Sequence, residues 1–257
     1  MATLAQRQWR QRAQTAVRVA TTASKEARSR FQALSDGGDA AMSELANTAL
    51  QLSHLPSLRL PGPLAEMRPD VRAAAAAKLA RQQEALLAAL QDRVGQLGSC
   101  VEALRGAVAT LEEVPQDEPW MRNTPVFLTM PLARVRQLVT KVYDMYRQEY
   151  DSKAAVVQAM GALLVFPSPE AMQAASLDLS SLALSSMSAA GTGLQVKAAD
   201  PMGRAMLAEL SKRGEAEGKR LPDLCTTYIS VWMLGPYLEE EQAEEALAAV
   251  TEDMVGF

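Results

Sequence analysis

The feature that most constrains this chain is an unbroken heptad pattern of leucine and valine in its central part. The apolar positions follow one another at alternating spacings of three and four residues. They are Leu87, Leu90, Val94, Leu97, Val101, Leu104, Val108 and Leu111. Such a seam is typical of helices that pair side by side. It predicts a long helix that packs against at least one other helix.

The residues around this seam argue against a freestanding zipper. Few charges occupy the flanking positions, and Gly95, Gly98 and Gly106 each weaken the helix by up to about 1 kcal/mol relative to alanine. Burial against neighbouring helices can outweigh that loss. The seam is therefore expected to be covered by helices of the same chain or of a partner.

A second seam follows a proline-rich loop. Threonine two residues before Pro131 predicts a helix start, and the helix is expected to reach about Phe166. Its apolar positions include Val135, Leu138, Val142 and Met145. Two long helices joined by a loop predict an antiparallel hairpin.

Alanine-rich and leucine-rich composition with few aromatic residues favours an all-α fold. We expect an elongated helical hairpin or coiled-coil bundle with a low-complexity insertion and a short C-terminal helical segment. The predicted segments are N-terminal helices and a connector (1–60), the hairpin (61–166), a partly disordered insertion rich in serine and alanine (167–221) and a helical segment with an acidic tail (222–257).

Glycine and proline mark the expected helix ends. A first helix is predicted from about Ala5 to Leu34, with a break at Gly37-Gly38 and a second helix up to Leu52. Within the insertion, short helices are predicted around Met172 and from Pro201 to Arg213. A charged break is predicted from Gly214 to Arg220, and the last helical piece starts near Leu221-Pro222 and is interrupted at Gly235-Pro236.

Charge is distributed unevenly along the chain. Basic residues dominate between Met1 and Arg30, whereas every charge from Tyr237 onward is acidic. Such ends can attract each other or oppositely charged partners, or simply form two solvated helix faces. The arginine-rich start also resembles an organellar transit peptide, but a weak apolar stripe that includes Trp9 and Phe31 favours a docking helix.

No catalytic constellation is found in the sequence. His54 is the sole histidine, and no nucleophile or orienting partner is evident near it. Cys100 and Cys225 lie far apart, which indicates neither a disulfide framework nor a zinc site. The stretch ending in Lys219 has the wrong glycine spacing for a phosphate-binding loop. We therefore expect no enzyme activity, cofactor, metal or direct nucleic-acid binding, and no membrane span.

Aromatic residues form the most distinctive constellation. Tyr143, Tyr146 and Tyr150 follow one another at helical spacing, and Trp232 and Tyr237 lie near the C-terminus. Such side chains concentrate binding energy at interfaces. They are interpreted either as partner anchors or as packing of the C-terminal piece against the second long helix, and these two interpretations are compatible.

Two segments carry a family resemblance. The first comprises Pro125, Phe127, Thr129 and Pro131, followed by Met145, Tyr146, Arg147, Glu149 and Lys153. The second comprises Asp223, Leu224, Tyr228, Ser230, Trp232, Pro236, Tyr237 and Glu239. Both resemble, in the same order, motifs of the cyclin-dependent kinase 2-interacting protein (CINP) family. The chain departs from that family at Met130, where a tryptophan is usual, and in the long insertion between the motifs.

The resemblance implies a non-catalytic adaptor that pairs with a small helical protein similar to the AIRIM ribosome maturation factor. The pair would serve an AAA ATPase complex in large-ribosomal-subunit maturation and replication, with links to cyclin-dependent kinase and checkpoint proteins, in nucleus and cytoplasm. The predicted partner-binding residues are the members of both seams together with Tyr146, Arg147, Tyr150, Lys153, Tyr228, Trp232, Pro236 and Tyr237. The alternative is an organelle-imported amphipathic protein with a lipid or membrane-surface role.

Overall fold

The fold is built from helices throughout the part of the chain that is described. A computed structural model describes residues 3–62, 70–176, 200–212 and 215–255, without the side chains of 215–217. Its elements are α1 (Leu4–His54), a 3-10 turn (Leu55–Ser57), α2 (Val71–Glu112), α3 (Pro119–Asn123), α4 (Leu132–Leu163), α5 (Pro201–Lys212), α6 (Glu215–Leu234) and α7 (Glu240–Asp253). Residues 169–176 are also helical, and the described residues form no strand beyond an isolated bridge between Pro125 and Pro131. The predicted all-α fold class is confirmed.

Helix α1 continues through Gly37-Gly38, so the predicted break there is wrong. A Cβ atom at Gly37 would lie 2.5 Å from Nη1 of Arg93, and one at Gly38 would overlap the Trp232 indole. Each glycine costs the helix about 1 kcal/mol, but tertiary packing commonly outweighs such a cost. These glycines serve the close approach of other side chains rather than a chain break.

Helix α6 starts at Glu215, so the predicted break up to Arg220 is also wrong. Pro222 lies inside the helix, where a proline costs about 3 kcal/mol. Leu221 and Cys225 are buried on either side of it, and this burial offsets the loss. Residues 177–199 of the predicted insertion and residues 63–69 of the proline connector lie outside the described residues.

The chain divides into two compact units that are discontinuous in sequence. The first unit comprises Met1–Gly38, Gln91–Val156 and Val231–Phe257, and the second comprises Asp39–Leu90 and Val157–Ser230. Helices α1, α2 and α4 each contribute residues to both units. Each unit thus combines stretches from several of the consecutive segments predicted from the sequence.

In the first unit, α1, α2 and α4 lie alongside one another in alternating directions. Trp9 donates a hydrogen bond from Nε1 to the Pro115 carbonyl at 2.8 Å, near the start of α1 and the end of α2. Farther along α1, Gly37 faces Arg93 near the opposite end of the α2 portion. Gly98 of α2 faces Tyr150 of α4, whereas the end of α2 packs near the start of α4. The predicted antiparallel hairpin of the two seam helices is confirmed.

Helix α7 adds a fourth antiparallel member to this unit. The Lys141 ammonium donates to Oε1 of Gln242 at 2.6 Å, and Thr129 donates to Asp253 at the far end of α7. The resulting core combines residues from every long helix of the unit. It contains Trp9, Ala13, Ala16, Val17, Ala20, Ala107, Leu111, Val114, Val126, Phe127, Leu132, Val135, Val139 and Val250.

The second unit has its own core, built largely from small and flexible apolar residues. Its buried members are Leu52, Leu55, Ala76, Ala80, Met206 and Leu210. Gly203 brings α5 directly onto α2, because a Cβ atom there would overlap the Ala73 carbonyl group. The Gln83 amide donates to the Val165 carbonyl at 2.9 Å, which supports the chain after α4.

Candidate partner-binding site

The heptad seams lie largely inside the chain. Their fully or almost fully buried members are Leu90, Leu97, Val101, Leu104, Leu111, Val135 and Val142. Their partly buried members are Leu87, Val94, Val108, Leu138 and Met145. The buried members pack within the chain's own core, in line with the same-chain interpretation of the seams.

Tyr146 and Trp232 are also interior side chains, and both are fully buried. Tyr146 of α4 meets Phe31 of α1 edge to face, with ring centroids 5.0 Å apart. Trp232 rests on the α1 backbone at Gly38, and its Nε1 donates to the Ser35 carbonyl at 3.4 Å. Tyr146 thus packs α4 against α1, and Trp232 packs the C-terminal piece against α1.

Beneath the end of α6 lies a buried ion pair between Glu149 and Lys153, one turn apart on α4. Nζ of Lys153 is 3.1 Å from Oε1 of Glu149, and the two side chains are 3% and 0% exposed. The same ammonium donates to the Trp232 carbonyl at 2.5 Å and lies 4.6 Å from the centroid of its ring. The other carboxylate oxygen, Oε2 of Glu149, accepts the Tyr237 amide at 3.2 Å. The pair therefore binds the backbone on both sides of Gly235, at the Trp232 carbonyl and at the Tyr237 amide.

Gly235 ends α6 between these two points. Its φ of 54° lies in the left-handed region that favours glycine after a helix end. A Cβ atom there would also meet the Glu149 carboxylate at 3.5 Å. The Trp232 carbonyl belongs to the last turn of α6, where carbonyls lack helical partners and a cation is favourable. Lys153 supplies both the hydrogen-bond donor for this carbonyl and the positive charge.

Above this buried support, the turn presents apolar side chains to solvent. Met233 is 57% exposed, Leu234 78% and Tyr237 51%, and Pro236 is exposed as well. We call residues 233–237 the exposed turn. Its exposed side chains directly follow the buried Trp232, so the support and the surface belong to one short segment. This arrangement can bind an apolar partner but offers no obvious chemistry.

The structure brings together some of the predicted partner-binding residues and separates others. Lys153, Trp232, Pro236 and Tyr237 all belong to the exposed turn or contact it, whereas Tyr146 packs on Phe31. Tyr150 packs over Gly98, and Arg147 is exposed on α4. Tyr228 is partly buried and belongs to the second unit.

Sequence reasoning did not single out Met233 and Leu234, and it gave Glu149 no role in the site. A tryptophan followed closely by Gly235-Pro236 at a helix end was the available signal. Glycine and proline after the tryptophan indicate that the helix ends there. With Trp232 in the core, the neighbouring Met233 and Leu234 then point away from it.

The charged chain ends meet beside this site. Arg28 of α1 and Glu244 of α7 form an ion pair at 3.0 Å. Burial raises the pKa of the Tyr146 hydroxyl to about 12, although the nearby Arg28 lowers it, and Glu240 adds to the rise. Tyr146 thus remains a neutral phenol at physiological pH.

Elsewhere in the described part of the chain, no group of three or more histidine, cysteine, aspartate and glutamate side chains could hold a metal ion. His54 is exposed at the end of α1. Cys100 and Cys225 are buried free thiols, and burial raises the pKa of each, which disfavours a reactive thiolate. Among the described helices, none has both the length and the apolarity needed to cross a membrane.

Comparison of the sequence with protein-family models and with curated proteins gives no match.

Proposed function

We propose that this protein is a non-catalytic adaptor that binds a second helical protein through the exposed turn, residues 233–237. The observation that carries the proposal is the contrast between the two faces of this segment. Met233 and Leu234 face solvent, while the backbone on either side of Gly235 is held by the buried pair of Glu149 and Lys153. A surface held in this way loses little conformational entropy when it binds.

The energy available at the turn is sufficient for a specific anchor. Burying an apolar side chain such as Met233 or Leu234 contributes about 1.5–3 kcal/mol. Tyr237 adds an aromatic side chain of the kind that dominates interface energetics. Three such residues within the segment 233–237 suit the apolar centre of an interface, with a polar rim supplied by neighbouring residues.

The resemblance to the CINP family supports a more specific form of this proposal. Both motifs that carry the resemblance contribute to the exposed turn and its support, through Glu149 and Lys153 from one motif and Trp232 and Tyr237 from the other. The partner is then an AIRIM-like helical protein, and the pair serves an AAA ATPase complex in large-ribosomal-subunit maturation and replication in the nucleus and cytoplasm. Cyclin-dependent kinase and checkpoint proteins are further partners under this proposal.

The N-terminal contacts support this proposal over the organelle-import alternative. The Arg10 guanidinium donates to the carbonyls of Pro125, Val126 and Phe127, and Trp9 belongs to the core of the first unit. Cleavage near Phe31 would remove these contacts together with several core alanines and Val17. A docked helix accounts for the arginine-rich start without a transit function.

The proposal is tested by placing a charge on the exposed turn. Leu234→Asp should abolish recovery of a helical subunit and an ATPase when the full chain is purified from its native cell, and should abolish complex formation with a co-expressed AIRIM-like protein. Leu128→Asp is the matched control, because Leu128 is also exposed, at 55%, but lies outside the turn. Quantitative mass spectrometry and size-exclusion chromatography provide the two readouts.

Equal thermal unfolding of both variants would show that neither change disturbs the fold. The proposal fails if wild-type protein recovers no helical partner, or if the Leu234→Asp variant recovers the same partners in the same amounts.

A further inference from the structure

We infer that the partner segment seated on the exposed turn is an amphipathic helix whose apolar face is flanked by lysine or arginine. This inference rests on the proposed function and names the chemistry of the partner. It is carried by the residues that follow the turn directly, Glu239, Glu240 and Glu241, all of which are exposed. Apolar side chains and a group of negative charges therefore share one short stretch of surface.

These three glutamates are not neutralised within the described part of the chain. No ion pair found among the described residues includes them, and Glu240 and Glu241 lie in the first turn of α7. The helix dipole favours negative charge at that position, which explains why the helix tolerates them. The charges of the three glutamates therefore face solvent beside the apolar side chains of the exposed turn.

The basic groups around the turn are already engaged or face elsewhere. Lys153 is buried and bound to Glu149 and to the Trp232 carbonyl, and Arg28 pairs with Glu244. Arg147 is two residues from Glu149 on α4, so it points to a different face of that helix. Lys141 donates to Gln242 at 2.6 Å, which places one ammonium group beside three carboxylates. The field at the exposed turn is therefore negative.

A negative rim beside an apolar centre selects among partners. A helix with basic flanks gains attraction at the rim, while one with acidic flanks brings like charges together. Interfaces of this kind place apolar anchors centrally and use rim charges for orientation and association rate. The described geometry fits the basic helix.

The test uses the full chain and two designed helical peptides with the same leucine face. One peptide carries lysine at its flanking positions and the other carries glutamate. Fluorescence anisotropy should show binding of the lysine peptide alone, with loss of binding in the Leu234→Asp variant. Replacing Glu239, Glu240 and Glu241 together by glutamine should weaken binding about tenfold at low salt, because each exposed charge contributes modestly. This difference should shrink at high salt through screening.

The matched control replaces Glu112, Glu113 and Glu118 together by glutamine. These exposed glutamates belong to the same unit and change the net charge by the same amount, but they lie near the other end of the α2–α4 hairpin. The control should bind the lysine peptide like wild type.

Equal weakening by both triple variants, or equal affinity for the two peptides, would overturn the basic-helix inference. Failure of this inference can be separated from failure of the proposed function. If Leu234→Asp abolishes partner recovery from cells while the Glu239–Glu241 variant changes neither peptide binding nor recovery, the turn is the site and the partner chemistry is wrong. If Leu234→Asp changes neither, both proposals fail.

Discussion

Gly38→Ala and Gly95→Ala add the same methyl group to two long helices, yet we expect opposite effects on stability. At Gly38 the new Cβ would overlap Cζ2 of Trp232 and lie 2.9 Å from Cε2 of the same ring. At Gly95 no other side chain or backbone atom outside its own helix lies within 4 Å. The ring cannot move freely, because Trp232 is fully buried.

The magnitudes follow from helix propensity and packing. Replacing glycine by alanine inside a helix gains about 1 kcal/mol, and Gly95→Ala should realise that gain. Overpacking a buried site costs about 1–3 kcal/mol. Gly38→Ala should therefore be destabilising by up to about 2 kcal/mol after the propensity gain, a difference between the variants of about 3 kcal/mol at most.

Urea unfolding followed by circular dichroism gives the free energy of unfolding for each variant. Hydrogen exchange at the Tyr237 amide gives a local readout, because displacement of Trp232 disturbs the turn that this amide joins to Glu149. Gly106→Ala serves as a second control, since a Cβ there also meets nothing within 4 Å. If Gly38→Ala stabilises the protein as much as Gly95→Ala does, the close approach of Trp232 to α1 is wrong.

Three further changes test the buried polar groups. Lys153→Met should cost about 3–5 kcal/mol in urea unfolding because it leaves Glu149 buried without its cation, and adding Glu149→Leu should recover part of the loss. Burial alone raises the pKa of Asp253, but hydrogen bonds from the Thr129 hydroxyl and the amides of Thr129 and Met130 outweigh it and hold this pKa below its ordinary value. The Asp253 carboxylate therefore stabilises the fold above its unfolded-state pKa, and this stabilisation is lost as pH falls through its folded-state pKa. In unfolding curves measured at decreasing pH, Asp253→Asn should lack this loss. The raised pKa of Tyr146 predicts the opposite trend, with stability lost as pH rises from 10 toward about 12, and Tyr146→Phe should remove that alkaline dependence in a pH series of unfolding curves.

The long helices and their contact faces could be predicted from the sequence because a heptad pattern is local information. The spacing from Leu87 to Leu111 determines which side of α2 is apolar, and an apolar side is buried wherever another helix is available. The interruption at Gly235-Pro236 is likewise local, since a left-handed glycine ends a helix by its own backbone preference.

The features that sequence reasoning missed depend on contacts between distant parts of the chain. Gly38 indicates a break only if its backbone is exposed, but the approach of Trp232, far away in sequence, makes the absence of a side chain favourable within the helix. Periodicity also cannot decide whether an apolar seam is covered by the same chain or by a partner. Here the same chain covers the buried members, which moves the candidate interface from the seams to the exposed turn.

The pair of Glu149 and Lys153 is costly for a site whose only role is stability. Removing two charges from water carries a large desolvation penalty, and well-packed apolar residues of similar size often stabilise a protein as much or more. Apolar side chains, however, could not bind the Trp232 carbonyl and the Tyr237 amide, the two backbone groups that fix the turn. The pair is therefore better explained by the position it imposes on Met233 and Leu234 than by the energy it adds to the core. By this reasoning its apolar replacement affects partner binding more than folding, which links the buried chemistry of α4 to the exposed surface that we propose as the interface.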